Sequence, residues 1–388
     1  MSIDWTEDQL QMRESARALS ARFDGPYWRR CDQEGRFPQE FWDACAEAGF
    51  LGVMIPEQYG GSGLGLTEAC LILQEIAASQ AGMDGSSAVH LSVFGMNPVV
   101  KHGTEEQKQK YLSRSADGQL HVSFAVTEPE AGTDTPRIKT YAERTAGGYR
   151  ISGRKVFITK AQEAERILLL ARTLPYDQVE KKTMGMSLFL VPTDRGHIEM
   201  RDIPRMGRNA VDTNELFIDG LEVSAEDLVG EEHRGFYHLL DGLNPERILI
   251  AGEALGIGLG AVERAAQYAR DRVVFGRPIG ANQGIQMPLA DVYAELKAAE
   301  LLVYHAAWLY DHGQSCGAEA NMAKLRASEA GWRAVDIAFQ TFGGYGYARE
   351  YDIERFYRQI RMTRIAPISN EMVKNFIGEH VLGLPKSY

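Results

Sequence analysis

The sequence changes texture twice, and those changes limit how its 388 residues can fold. From Thr6 to about Gly118 the apolar residues recur with a helical period, beginning at Leu10, Met12 and Ala16. Thr6 followed by Gln9 predicts a capping box, and Thr104-Glu-Glu-Gln107 predicts a second capped start. Between His121 and about Val229 the period becomes that of strands. Short runs rich in Val, Ile, Phe and Thr (Val122 to Val126, Tyr149 to Ile151, Val156 to Thr159, Ile167 to Ala171, Met186 to Val191, Glu215 to Ile218) alternate with turn residues. From Gly235 onward long helical segments return, at about 236–274, 282–312, 317–341, 353–361 and 370–382. The expected fold is mixed α and β: an N-terminal α-helical domain over 1–118, a central antiparallel β-barrel or sandwich over 119–231, and a C-terminal four-helix bundle over 232–388.

Charge narrows the function. The net charge is −11 and no block of five or six basic residues occurs, which argues against a nucleic-acid groove or an anionic membrane surface. An anionic small ligand in a local basic pocket is still compatible. No apolar run approaches the roughly 20 residues needed to span a bilayer. The opening residues from Met1 lack the basic and apolar regions of a secretory signal, so the expected address is cytoplasmic. Cys31, Cys45, Cys70 and Cys316 are scattered without metal-ligand spacing and read as free thiols, and no metal site is expected.

One motif misleads. Gly256-Ile-Gly-Leu-Gly-Ala261 matches a dinucleotide-binding fingerprint, but it lies inside a helical period instead of at a strand-to-helix turn. Close helix packing explains it better. Four other segments carry more: Ala125-Val-Thr-Glu-Pro-Glu-Ala-Gly-Thr-Asp134, Val156-Phe-Ile-Thr-Lys160, Arg272-Val-Val-Phe-Gly-Arg277 and Gln340-Thr-Phe-Gly-Gly-Tyr-Gly346. The first is a strand edge turning into a small-residue loop, and its row of backbone groups suits the edge of an isoalloxazine ring. Phe157 and Thr159, two apart on a strand, share a face, so one can cover such a ring while the other donates a hydroxyl hydrogen bond. Arg272 can pair with a diphosphate, and Gly343-Gly344 permits close backbone approach.

These segments, in this order, resemble those of the acyl-CoA dehydrogenase family, with support from Pro56-Glu-Gln-Tyr-Gly-Gly61, Gly103-Thr-Glu-Glu-Gln-Lys108 and Met206-Gly207. The resemblance runs from Thr6 to the C-terminus. It implies FAD between the β domain and the C-terminal helices, an acyl-CoA substrate, and electrons leaving to an electron-transferring flavoprotein. It implies that Phe124, Val126, Thr127, Phe157 and Thr159 line the flavin within one subunit, with Gly132 and Thr133 near the flavin rim and the pantetheine. Arg272, Phe275, Gln283, Gln340, Gly343 and Gly344 would reach the FAD of a neighbouring subunit, implying a homodimer, usually within a homotetramer.

The resemblance also raises the question of the base. The Glu found near the C-terminus of many relatives is replaced here by Pro367, in Ile365-Ala-Pro-Ile-Ser-Asn-Glu371. Branched- and long-chain members, such as isovaleryl-CoA or long-chain acyl-CoA dehydrogenases, instead carry the Glu on the first helix of the C-terminal domain. Asn244-Pro245-Glu246-Arg247-Ile248 matches that place, with Pro245 expected in the first turn of its helix. Glu246 is the expected base, Arg247 a neighbour on the substrate side, and Glu371 the rival. In relatives the backbone N–H at the position of Pro367 bonds the thioester carbonyl. Proline has none, so an adjacent N–H such as that of Ile368 would replace it, or the reaction departs from ordinary desaturation. The competing readings are a non-oxidative, desulfinase-like lyase, an oxygen-using acyl-CoA oxidase or flavin monooxygenase, and a non-enzymatic flavin or CoA scaffold.

Overall fold

The computed structural model describes residues 5–387; Met1 to Asp4, where the sequence reading began, lie outside them. Seven helices come first: α1 (Glu7–Ala21), α2 (Gly25–Glu34), α3 (Gln39–Glu47), α4 (Leu66–Ala78), α5 (Gly82–Gly95), α6 (Asn97–His102) and α7 (Glu105–Ala116). Both expected capping boxes form. Gln9 N–H donates to Thr6 Oγ1 at 3.2 Å, and the Gln9 side chain accepts from Thr6 N–H at 3.1 Å. Thr104 and Gln107 exchange the same pair of bonds.

The central strands are β1 (Val122–Ala125), β2 (Tyr141–Thr145), β3 (Gly148–Thr159), β4 (Arg166–Arg172), β5 (Met186–Pro192), β6 (Ile198–Asp202), β7 (Thr213–Ser224) and β8 (Leu228–Val229). They form one sheet in the order β6-β7-β3-β2-β4-β5-β8, with β1 against β4. Two corrections follow. The sheet is open, because β6 and β8 end the path without pairing each other, so it is not a barrel. It is also not purely antiparallel, since β1 runs parallel to β4 from Val122↔Arg166 to Ala125↔Leu169. The segments read as separate runs around Tyr149 and Val156 are one long strand, interrupted by register shifts against β7.

After the sheet come α8 (Gly235–Asp271), a short hairpin of β9 (Val273–Val274) and β10 (Arg277–Pro278), then α9 (Gln283–Asp311), α10 (Gly317–Phe342), α11 (Ile353–Ile360) and α12 (Asn370–Phe376). The Gly256-to-Ala261 motif lies within α8, as its period required. A Cβ on Gly256 would meet Gln74 O at 2.1 Å, and one on Gly260 would meet Ala78 O at 2.2 Å, so α8 rests backbone-to-backbone on α4. One apolar core therefore runs from the N-terminal helices into the C-terminal ones, while the sheet keeps a core of its own.

The sheet is tied to both helical parts through buried polar groups. Asp32 accepts from Asn209 Nδ2 at 3.0 Å and from Arg358 Nη2 at 2.7 Å. Asp84 accepts from Ala210 N–H at 3.2 Å and from Gln359 Nε2 at 2.5 Å. These bonds fix the 203–211 loop where β-domain and helices meet. All four cysteines are free and buried. Among the described residues no helix is long and apolar enough to cross a membrane, and no cluster of His, Cys, Asp or Glu could hold a metal ion.

Candidate active site

The first expected set gathers at the end of β1 and the neighbouring end of β3. Phe124, Val126, Thr127 and Thr159 are half-buried, and Gly132 and Thr133 are exposed. Phe157 is 65% exposed and has φ 60°, at the point where the β3–β7 register shifts. The shift leaves Phe157 and Thr159 together on the less buried side of the strand. A large aromatic held in the left-handed region and presented outward fits a ring cover better than a core residue.

What holds this edge was not visible in the sequence. Glu128, buried, accepts the N–H groups of Lys139 at 2.6 Å and Thr140 at 2.9 Å. Lys155, also buried, donates from Nζ to Glu128 at 2.9 Å and to the carbonyl of Val126 at 2.9 Å. Burial alone would raise the Glu128 carboxyl, but Lys155 and the two N–H donors hold it below the usual range. Burial pushes the Lys155 amine down to about 8 against the pull of Glu128. The pair thus pins the Val126–Thr127 turn from beneath. Arg208, with φ 64°, donates from Nη2 to Thr159 Oγ1 at 3.2 Å. That bond uses the hydroxyl oxygen as acceptor and leaves its proton free for another partner.

The second expected set lies at the far end of the C-terminal helices. Arg272 ends α8 with its guanidinium 5.5 Å from the Tyr345 ring, so the structure brings it to the Gly343–Gly346 turn. A Cβ on Gly132, Gly343 or Gly344 would meet nothing within 4 Å, which leaves room for a ligand backbone-close on both sets. Phe275, at the tip of the β9–β10 hairpin, is fully exposed. Gln283 and Gln340 are exposed as well. Among the described residues no hydrogen bond or ring contact joins this set to the first.

Glu246 sits in the interior of α8, half-buried, with no hydrogen-bond partner among the described residues. Pro245 is therefore not in the first turn of its helix, a correction: α8 begins ten residues earlier, at Gly235, and Pro245 leaves one helical acceptor unpaired within it. Burial raises the Glu246 carboxyl to about 7, opposed by His90 and Arg247 and reinforced by Glu253. Arg247 donates to Asn244 Oδ1 at 3.0 Å. Glu371 differs: it is exposed in the first turn of α12 and is held below the usual range chiefly by the helix N–H beside it.

The loop carrying Pro367 is gripped by Lys324 of α10. Its buried amine donates to the Ile368 carbonyl at 2.7 Å and to Asn370 Oδ1 at 2.7 Å. Burial lowers Lys324 to about 8, against the attraction of Glu371. The Ile368 N–H has no partner among the described residues.

Comparison with known proteins bears on the fold and the family. The N-terminal, middle and C-terminal domains of acyl-CoA dehydrogenases match residues 6–119, 123–221 and 233–382. An acyl-CoA dehydrogenase of Mycobacterium bovis is 38% identical over 99% of this chain and 98% of its own length. Butyryl-CoA dehydrogenase of Megasphaera elsdenii superposes with a TM-score of 0.93 at 31% identity, covering 98% of this chain and all of that one. A chain solved in work on the electron transferring flavoprotein of Acidaminococcus fermentans and flavin-based electron bifurcation gives 0.93 at 34%, over 98% of this chain and 100% of its own. With three matched domains and end-to-end relatives, the chain belongs to the acyl-CoA dehydrogenase family of oxidoreductases.

Proposed function

We propose that this protein binds FAD and carries out α,β-dehydrogenation of an acyl-CoA thioester, with Glu246 removing the α-proton. FAD supplies the two-electron acceptor for the hydrogen leaving Cβ. The observation that carries the reading is the state of Glu246: a half-buried carboxylate, free of hydrogen-bond partners among the described residues and raised to about 7, poised to accept a proton near neutral pH. Glu371, exposed and held ionised, is a far weaker base.

The chain's own residues then divide the work. Phe124, Val126, Thr127, Phe157 and Thr159 hold the ring, with Lys155 and Glu128 fixing the strand edge beneath them. Ile368 N–H takes the place of the donor lost at Pro367 and bonds the thioester oxygen, because Lys324 fixes the other side of the same residue. Gly132 and Thr133 flank the pantetheine, and Arg247 borders the acyl end.

Arg272, Phe275, Gln283, Gln340, Gly343 and Gly344 serve the FAD of a second copy. Supporting this are the projecting Phe275 and the exposed apolar residues Met287, Tyr293, Leu301 and Trp308 along α9, a patch that a second copy would cover. A dimer of such dimers, passing electrons to an electron-transferring flavoprotein, completes the reading. Anaerobic titration with a panel of acyl-CoAs tests it. Bleaching of the flavin absorbance by one of them is the expected result. Peroxide formation in air would favour an oxidase or monooxygenase, and turnover without any acceptor would favour a lyase.

A further inference from the structure

Two contacts fix how α5 and the start of α6 lie along the side of α8 that carries Glu246. Asn97 opens α6, two residues past the end of α5. Apart from its own helix, a Cβ on Gly242 of α8 would meet only the Asn97 amide nitrogen within 4 Å, at 3.8 Å. Further along, His90 Nδ1 on α5 lies 2.6 Å from Glu253 Oε1 on α8. Gly242 precedes Glu246 by four residues and Glu253 follows it by seven, so the three share one side of α8 and Glu246 lies between the two contacts. Asn97 is only 8% exposed, yet its Nδ2 has no hydrogen-bond partner among the described residues. The buried Nε of Arg247, next to Glu246, has none either. Gly95 is buried as well, and a Cβ there would meet nothing within 4 Å. Unfilled space and two unpaired donors therefore adjoin the base. A buried donor left unpaired is costly, and such a group calls for a partner supplied from outside the chain.

We propose that Asn97 is a specificity-determining residue, and that the acyl chain this site takes carries an oxygen acceptor a few bonds beyond Cβ. The inference rests on the reading of Glu246 as base, which places Cα beside that carboxyl. Four residues of helix, about 6 Å, separate Glu246 from Gly242 and the Asn97 amide across from it. A chain running from Cα toward α6 meets Nδ2 within that span. The group it presents must accept, because the Asn97 Nδ2 and the Arg247 Nε only donate. A site built to bond an oxygen rejects the chain that lacks it far more strongly than an apolar site sorts chains by one methylene.

The test uses the FAD-loaded protein and pairs of acyl-CoAs of equal chain length. In one member of each pair a single methylene at the δ, ε or ζ position is replaced by oxygen. Such an ether accepts and cannot donate, and Cα and Cβ keep their hydrogens. Steady-state kcat/KM with an artificial electron acceptor is compared within each pair. In the parent the ether is expected to be the better substrate at one of the three positions. In Asn97→Leu the ratio of ether to all-carbon chain at that position should fall at least tenfold, through loss on the ether alone. Asn97→Ala, which only removes atoms, should show the same fall and serves where the larger side chain lowers FAD content. A parent that favours the ether at no position would overturn the inference, as would a ratio that survives in both variants. Either result leaves the base assignment standing when Glu246→Gln has lost flavin reduction by both members of the pair. Parental reduction in Glu246→Gln would instead remove the base assignment itself.

Discussion

The guanidinium of Arg208 lies 3.2 Å from the hydroxyl of Thr159, on the strand proposed to carry the flavin. Burial weakens the hold of Arg208 on its proton, while Glu253, Asp84 and Asp212 strengthen it, so this is a cation embedded among acids. Two consequences are expected in Arg208→Gln. The Thr159 proton loses its direction, and a positive charge is lost beside the ring. Electron uptake should become less favourable, lowering the flavin potential by about 30 mV or more, where 30 mV is about 1.4 kcal/mol for a two-electron couple. Spectroelectrochemical titration of the purified flavoprotein checks it; an unchanged potential would separate Arg208 from the flavin.

Glu246→Gln should retain FAD and lose about 10² to 10⁴ in the rate of flavin reduction by a good substrate. In the parent, reduction should rise with pH through about 7 and level off above it, since only the ionised carboxylate accepts a proton. At one unit below that value about a tenth of the plateau rate is expected. Stability moves the other way. The folded chain holds the Glu246 proton at pH values where the unfolded chain has released it, so stability falls as pH rises from about 4.5 to about 7. Stopped-flow reduction and thermal melts across pH 5–9 measure both trends.

Lys324→Met removes the donor that holds the Ile368 carbonyl. If Ile368 N–H serves the thioester, kcat should fall by roughly ten- to a hundredfold with little change in KM, because the lost alignment matters most where charge develops on the oxygen. Steady-state kinetics with an artificial acceptor would show it. Equal kcat in the variant would point to another donor.

Arg272→Glu places an anion at the end of α8, beside Tyr345 and the Gly343–Gly346 turn. Both FAD content and assembly should drop, since one residue would serve the partner's diphosphate and the contact between copies. Analytical ultracentrifugation with flavin quantitation measures the two together. A holo-assembly of parental size and stability would separate Arg272 from both roles.

Periodicity made much of this fold readable. The 37 residues of α8 announced themselves through their spacing, and the Gly-rich motif was correctly placed inside a helix because no strand precedes it. β2 and β6 were missed: they carry mostly polar residues, and so little apolar signal. The turn from an antiparallel barrel to an open sheet with β1 parallel to β4 depends on pairings between distant segments, which no local pattern encodes. At the site, Glu246 and Phe157 stood out through their motifs. Lys155, Arg208 and the His90–Glu253 pair did not, because a buried polar residue is defined by its partner, here up to 163 positions away.

The contact of Gly256 and Gly260 with the carbonyls of Gln74 and Ala78 bears on how a substrate enters. Two helices seated at backbone distance cannot slide or part without opening voids along their whole length. The N-terminal and C-terminal helical parts must therefore behave as one block through the catalytic cycle. Any movement that admits a substrate must then fall outside the α4–α8 contact.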